Sequence, residues 1–378
     1  MPGMATPDDT TWDLDPHTEA KHVIIREYLK AWYPICTGGQ FKEFTYAEGF
    51  SGPGIYKGGE PGSPVVALDV FLRRSELLRP AQRLNVLLIE KRDDRVEELR
   101  RQVSRKLDEY GGRPAQMKIT FREDDCTTAL LPALQELSPR RSPFFAVLDG
   151  WGGPDAIPLD IARSAANRPG GEVLVTFQPQ HLVRFATVET RAQAGDRCFG
   201  SDAWRAVVDQ PKDMKKKFLV DCYRKSLFDA GFGYVASFEM RDEHKNELHL
   251  VFASNHPKGL IKMKEAMWKV DKQQGFMFRD PRDPAQLAFF FEEKPELGPL
   301  RRALLSKLEE GPTEVEKLRD FALRETVYRD SHAGTLLKDL FKEGIIESST
   351  GRVPRKQDRV WLAKQTPPST QPQQGTLF

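Results

Sequence analysis

Residues 44–54, FTYAEGFSGPG, hold the first side chains whose types and spacing could do chemistry. A short β-prone run ends at Glu48, and three glycines and a proline follow within six residues. A glycine turn at the carboxyl end of a strand lets backbone approach a ligand closely. The helix N-terminus beyond it favours polar or anionic groups. The turn lacks the Lys-Ser/Thr pair of a phosphate-binding P-loop and is not GxGxxG. Its form is acidic–x–Phe–x–Gly–x–Gly: Glu48, Phe50, Gly52 and Gly54, with Gly49 and Ser51 between them. A tight bend with no ligand is the competing reading.

Two further acidic positions stand beside it. VLLIE ends at Glu90, where a carboxylate can accept hydrogen bonds from the 2′- and 3′-hydroxyls of a ribose. A surface glutamate beside a charged helix is the alternative. The Glu48–Glu90 separation is roughly twice the ~20 residues of a plain dinucleotide unit. Asp124 and Asp125 follow a third strand, where they could hold an adenine amino group. Three successive strands ending in acid suit an adenosine cofactor with an uncharged ribose and a positive centre. S-adenosylmethionine fits that description better than NAD.

The elements that must position these groups alternate. LNVLLIEK (84–91) and PFFAVLDG (143–150) are continuous apolar runs, the mark of strands buried on both faces. EFTYAE, QMKITFREDD and GEVLVTFQ add three more strands. TEAKHVIIREYLKAWYPI (18–35), SPVVALDVFLRRSELL (63–78), a charged run after Lys91, CTTALLPALQEL and DIARSAANR read as helices. Strand–helix alternation of this kind predicts an α/β, doubly wound sheet. YVASFEM and LHLVFAS, on either side of a polar loop, predict an antiparallel hairpin at its end. Beyond a composition shift near 279–299, three helical stretches and two short strands around a basic loop form a winged-helix pattern. The expected organisation is a flexible N-terminus at 1–16, a sheet domain at 17–290, a winged-helix domain at 291–365 and a disordered tail at 366–378.

Composition is that of a globular protein, 39% hydrophobic and 30% charged, with a net charge of +2. That argues against a uniformly basic nucleic-acid coat but leaves room for a local basic face. No apolar run approaches a membrane span. The start, MPGMATPDDTTWDLDPHTEAKH, lacks a basic segment followed by an apolar core, so no secretory signal is expected. Cys36, Cys126, Cys198 and Cys222 have no CxxC spacing. They are expected to be reduced, mostly buried thiols of a cytoplasmic protein, with no metal site.

The glycine turn resembles motif I of S-adenosylmethionine-dependent methyltransferases, particularly those acting on nucleic-acid bases. Over most of its length the chain resembles the three-Cys-motif partner family. The matching segments are KHVIIREYLKAW (21–32), YAEGFSGPGIYKGGEPGSPVVAL (46–68), LLIEK (87–91), EVLVTF (172–177) and HLVFASNHPKGLIKMKEAMWKVD (249–271). The resemblance implies a Rossmann-like methyltransferase sheet with a C-terminal winged helix, S-adenosylmethionine as cofactor, and a three-cysteine partner protein. It also implies that Asp149 orients an acceptor amine and Trp151 stacks on the base. Where the family tends to have Asp-Pro-Phe-Gly, this chain has Asp149-Gly150-Trp151-Gly152. The departure keeps open a second reading, a catalytically silent nucleic-acid-binding partner in DNA repair or defence.

Lys21, His22 and His256 are each candidates for the same mouth, Lys21 as a nucleic-acid contact. Basic runs lie at 212–218, at 256–272 and in the wing, where Arg352, Arg355, Lys356 and Arg359 could neutralise phosphates. The terminal QGTLF resembles the peptide that docks bacterial proteins on the replication sliding clamp, through Gln374, Leu377 and Phe378.

Overall fold

The computed structural model describes residues 8–137, 142–150, 158–241, 247–279 and 294–364. The chain divides into two compact units, 1–293 and 294–378.

The first unit runs α1 (Pro16–Gly38), β1 (Glu43–Gly49), α2 (Ser63–Leu72), β2 (Arg83–Glu90), α3 (Asp93–Glu109), β3 (Met117–Glu123), α4 (Cys126–Leu137), β4 (Phe144–Leu148), α5 (Leu159–Ala166) and β5 (Gly171–Phe177). It continues through α6 (Pro179–Phe185), α7 (Glu189–Phe199), α8 (Lys215–Asp229), β6 (Tyr234–Arg241), β7 (Glu247–Ser254), α9 (Pro257–Val270) and β8 (Met277–Arg279). Among the described residues the strands form one sheet in the order β3-β2-β1-β4-β5-β7-β6-β8. Neighbours from β3 to β5 pair in parallel, whereas β7 runs antiparallel to both β5 and β6. This is the doubly wound order with one reversed strand, β7, inserted before β6 and β8. The reversed strand is the second arm of the predicted hairpin, and it makes the fold Rossmann-like in the methyltransferase manner.

Parallel strands covered on both faces need side chains that tolerate burial on both. The apolar runs of β1, β2, β4 and β5 provide them, and nearly all their residues are buried. On one face α1 inserts Tyr28, Trp32 and Tyr33 among Phe44, Phe71, Phe145 and Phe252, with the Tyr28 and Phe145 rings 4.9 Å apart. On the other, Phe177 stacks on Tyr223 at 4.6 Å within a cluster reaching Leu87, Leu130 and Trp204.

Several sequence expectations change here. α6, α7 and β8 were not anticipated. α7 is mostly polar and contains Gly195, where a Cβ would lie 2.2 Å from the Trp204 ring, so close packing rather than periodicity holds it. The stretch 257–270, read as a basic cluster, is α9, which buries Leu260, Met263, Met267, Trp268 and even Lys264. The 212–218 run spends its charge locally: Lys216 pairs with Glu247 and Lys217 with Asp221. Within the segment expected to be flexible, residues 8–15 make defined contacts. Arg92 and Arg95 donate to the carbonyls of Asp8 and Asp9, because backbone acceptors need no periodic pattern to be used.

The second unit comprises α10 (Gly298–Glu309), β9 (Thr313–Glu314), α11 (Val315–Glu325), α12 (Asp330–Lys342), β10 (Ile346–Ser348) and β11 (Arg359–Leu362). Its strands form an antiparallel sheet, β10-β11-β9, over a core that includes Leu304, Leu318, Leu337 and Val360. Three helices with a strand after the first and a two-stranded wing after the third make a winged helix. No helix among the described residues is long and apolar enough to cross a membrane.

Candidate cofactor and acceptor site

The carboxyl ends of β1 to β4 surround a cavity of about 310 Å³, the position at which doubly wound sheets take ligands. Its floor is the glycine turn. Phe50 holds φ at 65°, a left-handed conformation that non-glycine residues avoid, and Gly52 and Gly54 follow at 63° and 74°. Ser51 N–H donates to the Ile89 carbonyl at 2.8 Å, which ties the turn to the end of β2. A Cβ on Gly49 would stand 2.1 Å from Cys126 Sγ, so only glycine lets α4 pack against the end of β1.

Glu90 lines this cavity, buried, and its carboxylate is already oriented. Oε2 accepts from Gly52 N–H at 2.9 Å and Oε1 from Arg92 N–H at 3.1 Å. A carboxylate has about four acceptor positions, so two remain for hydroxyl donors. Asp124 and Asp125 both line the cavity; Asp124 is exposed, with Oδ1 accepting from Asp125 N–H at 2.7 Å. Asp125 is engaged at the head of α4. Oδ1 accepts from Thr127 N–H and hydroxyl at 2.9 and 2.7 Å, and Oδ2 meets Lys91 Nζ at 3.1 Å. These bonds hold its carboxyl below the ordinary value, Thr127 foremost.

Deeper in, α1 and β4 supply an ion pair. Lys21 Nζ binds Asp149 Oδ2, with the lysine side chain 9% exposed. Burial works to raise the Asp149 carboxyl, yet Lys21 and a hydrogen bond from Thr176 outweigh it and hold it below the usual range. Lys21, expected at this mouth as a nucleic-acid contact, lines the cavity and is the counter-charge of Asp149. Beside them Glu48 accepts from the Tyr46 hydroxyl and, at 2.7 Å, from Ser63 Oγ. Burial pushes its carboxyl up to about 7 against those two bonds. Burial, with Lys21 adding, drives the His22 imidazole down to about 3, so it is neutral. His256 does not reach this mouth. β7 runs opposite to β5, which carries His256 to the other end of the sheet, where its Nδ1 accepts from Lys258 N–H at 3.1 Å. Trp151, Gln374, Leu377 and Phe378 lie outside the described residues.

Trp12, Tyr56 and Arg95 also line the cavity and were not singled out from sequence. In the second unit Arg352, Arg355, Lys356 and Arg359 are all exposed on the wing. The wing is shaped by Asp358, whose Oδ2 accepts from Arg355 N–H at 2.8 Å. The exposed residues of α12 include Ser331, Thr335, Lys338 and Lys342, polar positions at helical spacing that the basic-run search passed over.

Residues 276–350 match the family described as the GMT-like wHTH domain. Comparison with curated protein sequences returned no match. Among solved structures, Trm1 from Pyrococcus horikoshii in complex with S-adenosyl-L-methionine is similar at 14% identity and TM-score 0.34, over 94% of this chain and 93% of that one. The O-methyltransferase from Bacillus cereus in complex with SAH is 12% identical, TM-score 0.31, over 64% and 82%. EvdMO1 is 11% identical, TM-score 0.32, over 66% of this chain, which spans only 44% of EvdMO1. The fold assignment rests on the strand order rather than on these likenesses.

Proposed function

We propose that the chain is an S-adenosylmethionine-dependent methyltransferase acting on a nucleic-acid base. The observation that carries the reading is the convergence, in one cavity, of the glycine turn, the oriented Glu90 carboxylate, Asp124 and the ionised Asp149. A volume of about 310 Å³ falls at the lower end of the range for small-molecule sites. The cofactor, when bound, supplies an electrophilic methyl group. Glu90 binds the ribose hydroxyls with its two remaining acceptor positions, and Asp124 takes the adenine amine.

Asp149 holds the acceptor amine by accepting one N–H, which turns the nitrogen lone pair away from the carboxylate. Lys21 keeps Asp149 ionised in a buried place, where an unpaired carboxylate would take up a proton. An incoming amine shares Asp149 with Lys21 through the second carboxylate oxygen. Gly150, where the resembled family has proline, leaves the strand exit less constrained. The winged helix supplies the nucleic-acid contact, through the wing cations and the exposed polar positions of α12. The three-cysteine partner and the sliding clamp remain proposals from the resembled family and from QGTLF.

Calorimetric titration with S-adenosylmethionine and S-adenosylhomocysteine, beside Glu90→Ala, tests the cofactor site. Radiolabelled methyl transfer to DNA and RNA, beside Asp149→Asn, tests the chemistry. Cofactor binding with no transfer to any nucleic acid favours the second reading, a silent binding partner, which the departure at Asp149-Gly150-Trp151-Gly152 supports. No binding by folded protein overturns the methyltransferase reading.

A further inference from the structure

The segment ahead of α1 is anchored at four points. Arg92 Nη1 donates to the Asp8 carbonyl at 2.7 Å, and Arg95 Nη2 to the Asp9 carbonyl at 3.0 Å. The Thr10 hydroxyl binds the Asp94 carboxylate. Lys57 N–H donates to the Trp12 carbonyl at 2.9 Å. The first three anchors lie at the start of α3, directly after Glu90, and the fourth lies in the loop beyond the glycine turn.

Between the anchors the Trp12 indole faces the cavity. Its edge meets Tyr56 at 5.8 Å and 86°, and the Arg95 guanidinium lies over the ring at 4.8 Å. The ring also reaches the glycine turn: a Cβ on Gly52 would stand 3.5 Å from Trp12 Cη2. A large aromatic side chain is thus brought by an irregular segment to the cavity wall made by the glycine turn, Tyr56 and Arg95. Burial of the ring in the protein core does not fully explain this, because Trp12 is only partly buried.

We infer that residues 8–15 form a strap that retains the cofactor, with Trp12 as its contact residue. The inference rests on the methyltransferase reading of the cavity. The strap is fastened on both sides of the ligand's place, to the helix that follows the ribose carboxylate and to the loop that follows the glycine turn. A bound adenosine ligand leaves only when one end lets go. Trp12 offers an apolar aromatic wall against which a bound adenosine ligand can pack. Its main effect is therefore on dissociation rather than on capture.

The test uses the full chain, Trp12→Ala, and a second variant lacking residues 1–12, with S-adenosylhomocysteine as probe. Affinity is read by calorimetry and dissociation by displacement with excess S-adenosylmethionine in stopped flow. Both variants are expected to bind about tenfold more weakly, the loss of roughly one aromatic contact, with the change in the dissociation rate. Wild-type-like dissociation from either folded variant overturns the strap while leaving the cofactor site intact. Failure of the full chain to bind overturns the cofactor reading and the strap with it.

Discussion

Replacing Glu172 with glutamine tests the electrostatic reasoning at a place remote from the cavity. Glu172 is buried near the start of β5, where Oε2 accepts from the Tyr28 hydroxyl and Oε1 from Ser254 Oγ at 2.8 Å. Burial raises its carboxyl from 4.5 to about 7, and the two hydrogen bonds only partly oppose it. The folded pKa thus lies above the unfolded one. The stability contributed by the protonated form is complete below about pH 4.5 and is lost as pH rises through about 7. At 1.36 kcal/mol per unit, the ceiling is about 3 kcal/mol. Glutamine keeps both contacts, since Ser254 can accept from the amide and turn its own proton to the His256 carbonyl at 3.3 Å. The variant and the wild type should melt together at pH 5. At pH 8 the variant should be more stable, with a melting temperature higher by on the order of 5 °C. Glu48 titrates near the same pH in both proteins, so it cancels in the comparison. Scanning calorimetry at pH 5, 6, 7 and 8 reads the difference. A gap that does not grow with pH, or a variant that is less stable at pH 8, would refute the account of Glu172 as a carboxyl kept neutral by burial.

Other outcomes follow from the same coordinates. Lys21→Met leaves Asp149 without its counter-charge, so its carboxyl rises and the acidic limb of methyl transfer moves to higher pH, whereas Lys21→Arg restores part of the shift; a pH–rate profile checks this. Gly49→Ala cannot fit against Cys126 Sγ and should cost several kcal/mol in urea unfolding, with Cys126→Ala in the same chain recovering part of the loss. Removing Arg352, Arg355, Lys356 and Arg359 together should flatten the dependence of nucleic-acid affinity on salt by up to about 3–4 in log–log slope, measured by fluorescence anisotropy. An unchanged slope would place the contact away from the wing.

Glu90 and Asp149, which each close an apolar run, line the cavity, whereas Glu48, which also closes one, is buried beside it and bonded to Tyr46 and Ser63. In a doubly wound sheet the end of such a run faces the ligand crevice. The glycine turn was legible for a similar reason, since its residue types imply the left-handed conformations found at Gly52 and Gly54. The reach of Lys21 to the mouth was legible from its place near the start of α1, but its pairing with Asp149 was not. Its burial depends on Asp149, which lies 128 residues away in the chain. Asp125 was read as a ligand group, although its role as the first acceptor of α4 follows from Thr127 two places on. Trp12 carried no signal. Its segment has no periodicity, and most of its anchors are main-chain carbonyls, which every sequence possesses.

The packing of α1 has a consequence for how the protein is made. α1 lies against α9, its Tyr28 bonds to Glu172 and its Lys21 to Asp149. This helix therefore leaves the ribosome long before partners encoded far downstream. At about 5–20 residues per second, roughly 10–45 s separate the end of α1 from the start of α9. Phe44, Phe71 and Phe145 arrive earlier, but through that interval the side of α1 that α9 and Phe252 cover stays open, and it is the part of the nascent chain that a chaperone would hold.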